Sequence, residues 1–282
     1  MTKFAYRPVL TRVVVGVPDP AQTVAFLTDG FDFRVRTENG RIFADTLGDY
    51  GPNGQSALEI RKADSLQFLN VVFTLTEDFD ADTLVKNLGG TRTETGGVQL
   101  VDPTGLRVAI EPAAEFVIDK PEVSAYRPRR LGHVNARTPD PVLSSEFYRH
   151  AFGMALSEQI GDDFFFLRTN TEHHNVGLRR APRTDLHHLG FELAGWHAYQ
   201  PILDHLDAVG YKAEYGPGKH RPGASYFTYV RDPSSGLRFE LFADMAHIMT
   251  GPETEPIRWQ GGDRMTKTIN IWGPTPPESF LE

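Results

Sequence analysis

The alternation of apolar and polar residues along the chain predicts short strands interrupted by a few amphipathic helices. The strand pattern that begins after Tyr6 leads into Pro-Asp-Pro and then into a helical pattern that closes at Gly30. The same order returns after Tyr126, where a second Pro-Asp-Pro precedes a helical pattern that closes at Gly153. Proline in the first turn and glycine after the last turn are typical limits of a helix, so we expect both glycines to end their helices.

These two stretches are copies of one another. The segment YRPVLTRVVVGVPDP from Tyr6 is echoed by YRPRRLGHVNARTPDP from Tyr126, and VDPTGLRVAIEP from Val101 is echoed by RDPSSGLRFELF from Arg231. An internal repeat of this length indicates a duplicated unit. We therefore predict two homologous domains, at residues 1–115 and 127–250, with a linker at 116–126 and a C-terminal tail at 251–282.

Each half contains the order strand, helix and several strands twice, and the second helix of the later half is predicted at residues 198–209. Strand patterns outnumber helical ones, and the segments between them are rich in Gly, Pro and Asn. The sequence therefore predicts an α+β fold of four modules with curved sheets rather than a doubly wound parallel sheet.

Composition narrows the class of protein. The chain has 282 residues, no cysteine and a formal net charge of -8 without a long run of like charge. The lack of cysteine excludes disulfides and thiolate ligands, and the acidic balance argues against a nucleic-acid partner. No apolar run approaches the roughly 20 residues of a membrane span, and the first residues lack a signal-peptide pattern. We expect a cytoplasmic protein with no membrane partner.

Histidine is confined to the later half, since all ten histidines follow residue 132 although the two halves share a framework. Three strand patterns in that half carry LGHVNA around His133, LHHLGFEL around His188 and LRFELF around Glu240. Two imidazoles and one carboxylate leave positions open on a six-coordinate Fe(II), so this set predicts a catalytic metal site. The aligned residues of the earlier half are Arg12, Asn70 and Ala109, which cannot hold a divalent ion.

His187 competes with His188 for the second ligand position. Neighbours on a strand face opposite sides of a sheet, so at most one of the two can serve. Matching the sequence LGHV to the sequence LHHL selects His188. Taken singly, each of these residues also has a purely structural interpretation, as a buried histidine with its hydrogen bonds made or a glutamate at a strand end.

The motifs LGHV, HHNVGL and LHHLGFEL and the run KHRPGASYFTYVRDPSSGLRFELF resemble those of the type I extradiol dioxygenases of the vicinal oxygen chelate superfamily, over nearly the whole chain. The resemblance implies four βαβββ modules in two domains, with the metal in the C-terminal one. It implies Fe(2+), with Mn(2+) as the alternative, and cleavage of a catechol-type ring by O2 in the breakdown of aromatic compounds. It also implies a homo-oligomer.

The resemblance further assigns residues around the metal. His174, in HHNVGL, matches the family histidine that stands beside the oxygen site, where it would act as an acid-base residue. His220 and Tyr229 match a histidine and a tyrosine that hydrogen-bond the substrate anion. His173 and Tyr226 are the neighbouring alternatives at two of these positions.

Two other functions stay open on this scaffold. One is a binding protein for aromatic ligands, and the other is a glyoxalase-like isomerase, which would use a further carboxylate ligand. Six phenylalanines could form apolar pocket walls and are equally consistent with plain core: Phe164, Phe165, Phe166, Phe191, Phe227 and Phe242. The stretch from Ile269 to Pro274 either covers the pocket mouth, forms a subunit contact or lies on the surface.

Overall fold

The computed structural model describes residues 8–46, 57–75, 80–113, 127–249, 254–260 and 268–281, and within them the order βαβββ occurs four times. The earlier half contains β1 (Val9–Val17), α1 (Pro20–Phe31), β2 (Arg34–Glu38), β3 (Arg41–Asp45), β4 (Leu58–Lys62), β5 (Gln67–Leu75), α2 (Ala81–Leu88), β6 (Thr91–Arg92), β7 (Val98–Val101) and β8 (Arg107–Pro112). The later half contains β9 (Arg130–Thr138), α3 (Pro141–Phe152), β10 (Ala155–Ile160), β11 (Phe164–Arg168), β12 (Val176–Arg180), β13 (Asp185–Glu192), α4 (Tyr199–Ala208), β14 (Ala213–Lys219), β15 (Tyr226–Arg231), β16 (Arg238–Ala243) and β17 (Ile257–Trp259). A short helix, α5 (Glu278–Leu281), follows. The predicted α+β class is confirmed.

Each half forms one mixed sheet. The strand order is β2-β3-β4-β1-β5-β8-β7-β6 in the first sheet and β14-β15-β16-β13-β9-β12-β11-β10-β17 in the second. In both sheets the first strands of the two modules, β1 with β5 and β9 with β13, lie antiparallel at the centre. Among the described residues, no helix has the length and apolar character that a bilayer crossing requires.

The Pro-Asp-Pro segments begin helices as predicted. Asp19 caps α1 by accepting hydrogen bonds from two backbone N–H groups, and Asp140 caps α3 by accepting one from the backbone N–H of Leu143. Gly153 follows α3 in a left-handed conformation, with φ of 65°. The prediction for Gly30 is wrong, because α1 continues through it and Asp32 takes the left-handed position. A Cβ at Gly30 would lie 3.3 Å from a methyl group of α4, so the glycine serves close packing.

The strand registers equate the two halves residue by residue. The cross-strand pair Val14–Asn70 of the first sheet corresponds to the pair Asn135–His188 of the second. In the same way, the pair Val72–Ala109 corresponds to the pair Gly190–Glu240. Arg12, Asn70 and Ala109 therefore occupy the framework positions of His133, His188 and Glu240, as the sequence alignment placed them. The sequence repeat thus corresponds to a repeat of strand pairing.

Aromatic side chains join the halves into one core. The rings of Phe26 and Phe31, from the end of the first helix, lie 5.5 and 5.8 Å from that of Phe239 on β16. Phe33 lies 5.3 Å from Phe191 on β13. All five are buried, and burying each stabilises the fold by about 1.5–3 kcal/mol. This contact supports the back of the strands that carry the candidate site.

The domain limits stay a prediction. The predicted linker at 116–126 lies outside the described residues. Two described parts of the predicted tail pack on the second sheet: β17 pairs in parallel with β10, and residues 268–281 lie against β14, β15 and β16.

Candidate metal centre

Three strands of the second sheet bring the predicted ligands together. Nε2 of His133 lies 3.2 Å from Nε2 of His188 and 3.0 Å from Oε2 of Glu240, and Nε2 of His188 lies 2.9 Å from the same oxygen. All three side chains are buried. In the part of the chain that the structure describes, no second group of three potential metal-ligand side chains converges in this way.

The three side chains fit a divalent cation. Their ligand atoms all lie within 4.8 Å of one another, and two imidazoles with one carboxylate form the donor set of catalytic Fe(II) sites with open positions. A buried cluster of this kind, with three polar atoms facing one point, needs a shared proton or a cation to balance it.

The protonation states suit such a cation. Burial lowers the pKa of His188 to about 4, which leaves its imidazole neutral near pH 7. Burial alone would raise the pKa of Glu240, but His133, His188 and His220 hold that pKa well below its usual value. A neutral imidazole and an ionised carboxylate are the forms that bind metals.

A glycine makes room for His133. Gly190 on β13 pairs directly with His133 on β9 and with Glu240 on β16. A Cβ at Gly190 would fall inside van der Waals contact with three atoms of the His133 ring. In the earlier half the corresponding residue is Val72, and there the side chain of Arg12 forms an ion pair with Glu111 instead.

His187 and His188 are not separated by strand alternation. The pairing of β13 with β9 has a register shift between Leu186 and His188, so the two neighbouring imidazoles meet with their Nδ1 atoms 2.6 Å apart. His188 alone reaches Glu240, whereas Nε2 of His187 lies 3.1 Å from the carbonyl oxygen of Phe280.

His220 and Tyr229 lie beside the carboxylate. The hydroxyl of Tyr229 donates to Oε2 of Glu240 at 2.9 Å and lies 3.1 Å from Nε2 of His220. Burial raises the pKa of Tyr229 well above its usual value, so the phenol keeps its proton in this environment. Tyr226, the alternative, packs instead on the rings of Trp196 and Trp272.

His174 lies beside His133 and lines the same cavity as His220 and Tyr229. Its ring lies 4.5 Å from that of His133, and burial lowers its pKa well below the usual value. His173 does not face the centre, but its Nδ1 lies 3.0 Å from Nδ1 of His174 and its Nε2 lies 3.1 Å from Oε1 of Glu158. The two histidines precede β12 rather than belong to it, so both can be buried on the same side.

A cavity opens onto these groups. Phe164 and Phe166 stack at 4.3 Å along one wall, and Pro222 and Ile269 contribute further apolar surface. The structure thus gives two of the predicted phenylalanines, Phe164 and Phe166, to the cavity, whereas Phe165 and Phe191 belong to the core. The described lining residues are Asn135, Phe164, Phe166, His174, His188, His220, Pro222, Tyr229, Glu240 and Ile269.

Sequence reasoning missed Asn135. Its side chain is buried and lines the cavity, and its Oδ1 has no hydrogen-bond partner among the described residues. The signal was present, because Asn135 lies two residues after His133 on one strand and residues so spaced share a face. Ile269, the first residue of the stretch for which a place at the pocket mouth was one of three alternatives, does line the cavity, which it reaches through the path of the tail.

Comparisons with known proteins find relatives by sequence and by fold. Residues 130–241 match the family model of the Glyoxalase/Bleomycin resistance protein/Dioxygenase superfamily. The chain is 31% identical to metapyrocatechase 2 of Cupriavidus necator over 57% of this chain and 49% of that protein. It is 30% identical to a manganese-dependent 2,3-dihydroxybiphenyl 1,2-dioxygenase of Geobacillus genomosp. 3 over 47% of this chain and 45% of that protein.

The solved structure of a Mn(II)-bound glyoxalase from Novosphingobium aromaticivorans shares the fold, with a TM-score of 0.82, 20% identity, and coverage of 96% of this chain and 94% of that one. The chain spans about half the length of the curated relatives it matches. Residues 130–241, which contain the three converging side chains, form a domain of the Glyoxalase/Bleomycin resistance protein/Dioxygenase superfamily.

Proposed function

We propose that this protein is an extradiol dioxygenase that cleaves the ring of a catechol-type compound, with a divalent metal held by His133, His188 and Glu240. The observation that carries the proposal is the convergence of these three buried side chains within 4.8 Å beside an aromatic-lined cavity. We propose Fe(II) as the metal, with Mn(II) as the alternative, since one relative is named manganese-dependent.

When bound, the cation supplies the centre at which catechol and O2 react. Tyr229 and His220 lie beside the carboxylate of Glu240. There, Nε2 of His220 can accept a proton released by a catechol hydroxyl, and the Tyr229 hydroxyl can hydrogen-bond the resulting anion. His174, whose ring lies 4.5 Å from that of His133, can hold a proton and return it to the reacting oxygen. Both atoms of O2 enter the product as a carbon-carbon bond beside the diol breaks.

The cavity favours an uncharged aromatic diol. Its walls include the stacked rings of Phe164 and Phe166, and no lysine or arginine is among the described residues that line it. A ligand carboxylate there would lose its hydration without gaining a cation, which is costly. We therefore propose catechol and alkyl- or aryl-substituted catechols as substrates in aromatic breakdown, and poor turnover of catechols with a carboxylate side chain.

The test is reconstitution of the purified protein with Fe(II) or Mn(II) without oxygen, followed by oxygen uptake and ring-fission absorbance with catechol, 4-methylcatechol, 2,3-dihydroxybiphenyl and 3,4-dihydroxyphenylacetate. We expect activity with the first three and little with the fourth. The His188→Ala variant is expected to lose metal and activity, and His197→Ala, which changes a histidine outside the cavity lining, is the matched control.

Inactivity toward every diphenol after metal loading would end the dioxygenase proposal. Tight binding of a catechol with no oxygen uptake would favour a binding protein. Isomerisation of a glutathione hemithioacetal would favour a glyoxalase-like enzyme, although no second carboxylate joins Glu240 and the two histidines among the described residues. We also propose a homo-oligomer, which light scattering of the purified protein tests.

A further inference from the structure

The C-terminal tail, residues 268–281, is fixed against the strands that carry the candidate site. The backbone N–H of Ile271 donates to the carbonyl of Lys219, and the hydroxyl of Tyr215 donates to the carbonyl of Pro274. The ring of Phe280 packs at 4.6 Å from that of Tyr229. The tail therefore has a defined path past the metal centre, with residues 268–270 and Phe280 buried and residues 271–275 exposed.

Two carbonyl oxygens of the tail meet imidazole nitrogens. The carbonyl of Phe280 lies 3.1 Å from Nε2 of His187, and the carbonyl of Ile269 contacts Nδ1 of His220. A carbonyl oxygen can only accept a hydrogen bond, so each of these contacts is satisfied when the facing ring nitrogen carries the proton.

The contact at His187 determines the state of His188. The two Nδ1 atoms are 2.6 Å apart, so only one of them can carry a proton. When Nε2 of a neutral His187 donates to the tail, its Nδ1 is an acceptor, and His188 donates through Nδ1. Nε2 of His188 then keeps its lone pair and faces Glu240 at 2.9 Å, as a metal ligand must.

Arg179 competes with the tail carbonyl for Nε2 of His187. Nη1 of Arg179 lies 3.4 Å from Nε2 of His187, and a guanidinium can only donate. If Arg179 donated to this nitrogen, the proton of His187 would sit on Nδ1, and the proton of His188 would move to Nε2 and block metal binding. A doubly protonated His187 is opposed by Arg179 and by Arg238, which donates to the His187 carbonyl.

We propose that the tail carbonyl of Phe280 fixes the tautomer of His187, and through it presents the lone pair of His188 Nε2 to the metal. The carbonyl of Ile269 acts in the same way on His220, whose Nε2 is left without a proton and can accept one. His187 is thus a positioning residue. The proposal rests on the proposed metal site, but not on the reaction catalysed there.

The direct test is the tautomer itself. Two-bond proton–nitrogen correlation spectra of the Zn(II)-loaded protein labelled with 15N-histidine distinguish an Nε2-protonated ring from an Nδ1-protonated ring, and a His187→Gln sample assigns the signal. We expect Nε2–H on His187 and Nδ1–H on His188. A proton on Nδ1 of His187 in the wild-type chain would overturn the proposal.

Metal affinity, measured by Zn(II) competition titration, gives the second readout. A chain that ends at Pro277 lacks the Phe280 carbonyl and is expected to bind about 10–100-fold more weakly, the usual effect of removing a partner behind a ligand histidine. Phe280→Leu keeps the carbonyl, so it is the matched control and is expected to stay within about twofold. Adding Arg179→Met to the shortened chain removes the competing donor and should restore much of the affinity.

Rescue by Arg179→Met separates tautomer control from simple loss of packing, because the substitution removes a donor to His187 without restoring the ring contacts that Phe280 makes. A shortened chain that binds Zn(II) as tightly as wild type, or one that Arg179→Met does not rescue, would contradict the proposal. Normal metal binding with the expected tautomers but no catechol cleavage would refute only the proposed reaction.

Discussion

Gly190→Ala should remove metal binding while leaving the fold in place. The added methyl would overlap three ring atoms of His133, and restoring ordinary contact at 3.4 Å requires the ring to move by about 1 Å or more. Metal–ligand distances tolerate deviations of only about 0.2 Å. The ring therefore cannot both accommodate the methyl and keep Nε2 beside His188 and Glu240.

Backbone strain does not contribute to this effect, because Gly190 lies within β13 and its φ is not in the left-handed region. The strand pairs of Gly190 with its neighbours on β9 and β16 can persist, since alanine makes the same backbone hydrogen bonds. We expect at least a 100-fold loss of Zn(II) or Fe(II) affinity, which is about 2.8 kcal/mol at about 1.4 kcal/mol per tenfold.

Competition titration of the metal, together with thermal unfolding of the metal-free chain, is the assay. Gly30→Ala is the matched control, since it places the same methyl in α1, away from the site, with the nearest side-chain atom at 3.3 Å. A folded Gly190→Ala protein that binds metal within twofold of wild type would refute the argument that His133 lies over Gly190 in order to reach the metal.

Three further changes test other parts of the structure. His174→Phe should lower catechol turnover by about 100-fold to 10,000-fold while catechol still binds, because an acid-base group is lost; unchanged turnover in single-turnover kinetics would remove His174 from the reaction. Asn135→Leu, which removes an unpartnered acceptor from the cavity wall, should raise the catechol KM by roughly 2–10-fold with metal affinity unchanged. Glu59→Gln should lower the free energy of unfolding by about 1–3 kcal/mol near neutral pH. Burial opposes ionisation of Glu59, but hydrogen bonds from Arg41 and Arg61 lower its pKa overall. The greater stability of the wild type over Glu59→Gln is therefore present above the ordinary carboxyl pKa and is lost as the pH falls through the lowered pKa of Glu59. Urea unfolding at several pH values measures this difference, and a difference that does not change with pH would contradict the reasoning.

Much of the candidate site follows from the repeat in the sequence. Because both halves have the same strand framework, a histidine or glutamate that stands where the other half has Arg12, Asn70 or Ala109 is visible as a difference between copies. The register of the two sheets gives these residues equivalent positions. Local helix signals were less secure, since the packing of Gly30 against α4 overrode its use as a helix end.

The histidine pairs show where strand periodicity fails. Alternation predicted that His187 and His188 would face opposite sides, but a register shift in β13 places their Nδ1 atoms in contact. A one-residue irregularity depends on how the partner strand pairs, and that partner lies about 50 residues away in the sequence. Local sequence patterns cannot specify it.

The sequence by itself determined the four modules, the half that carries the candidate chemistry, and the three side chains proposed to hold the metal, because these depend on strand periodicity and on differences between two copies of one framework. Only the tertiary structure decided what surrounds them. The positions of Ile269 and Phe280 depend on the path of a tail that packs through long-range contacts. No periodic pattern encodes such contacts, since they depend on the shape of the surface that the tail meets.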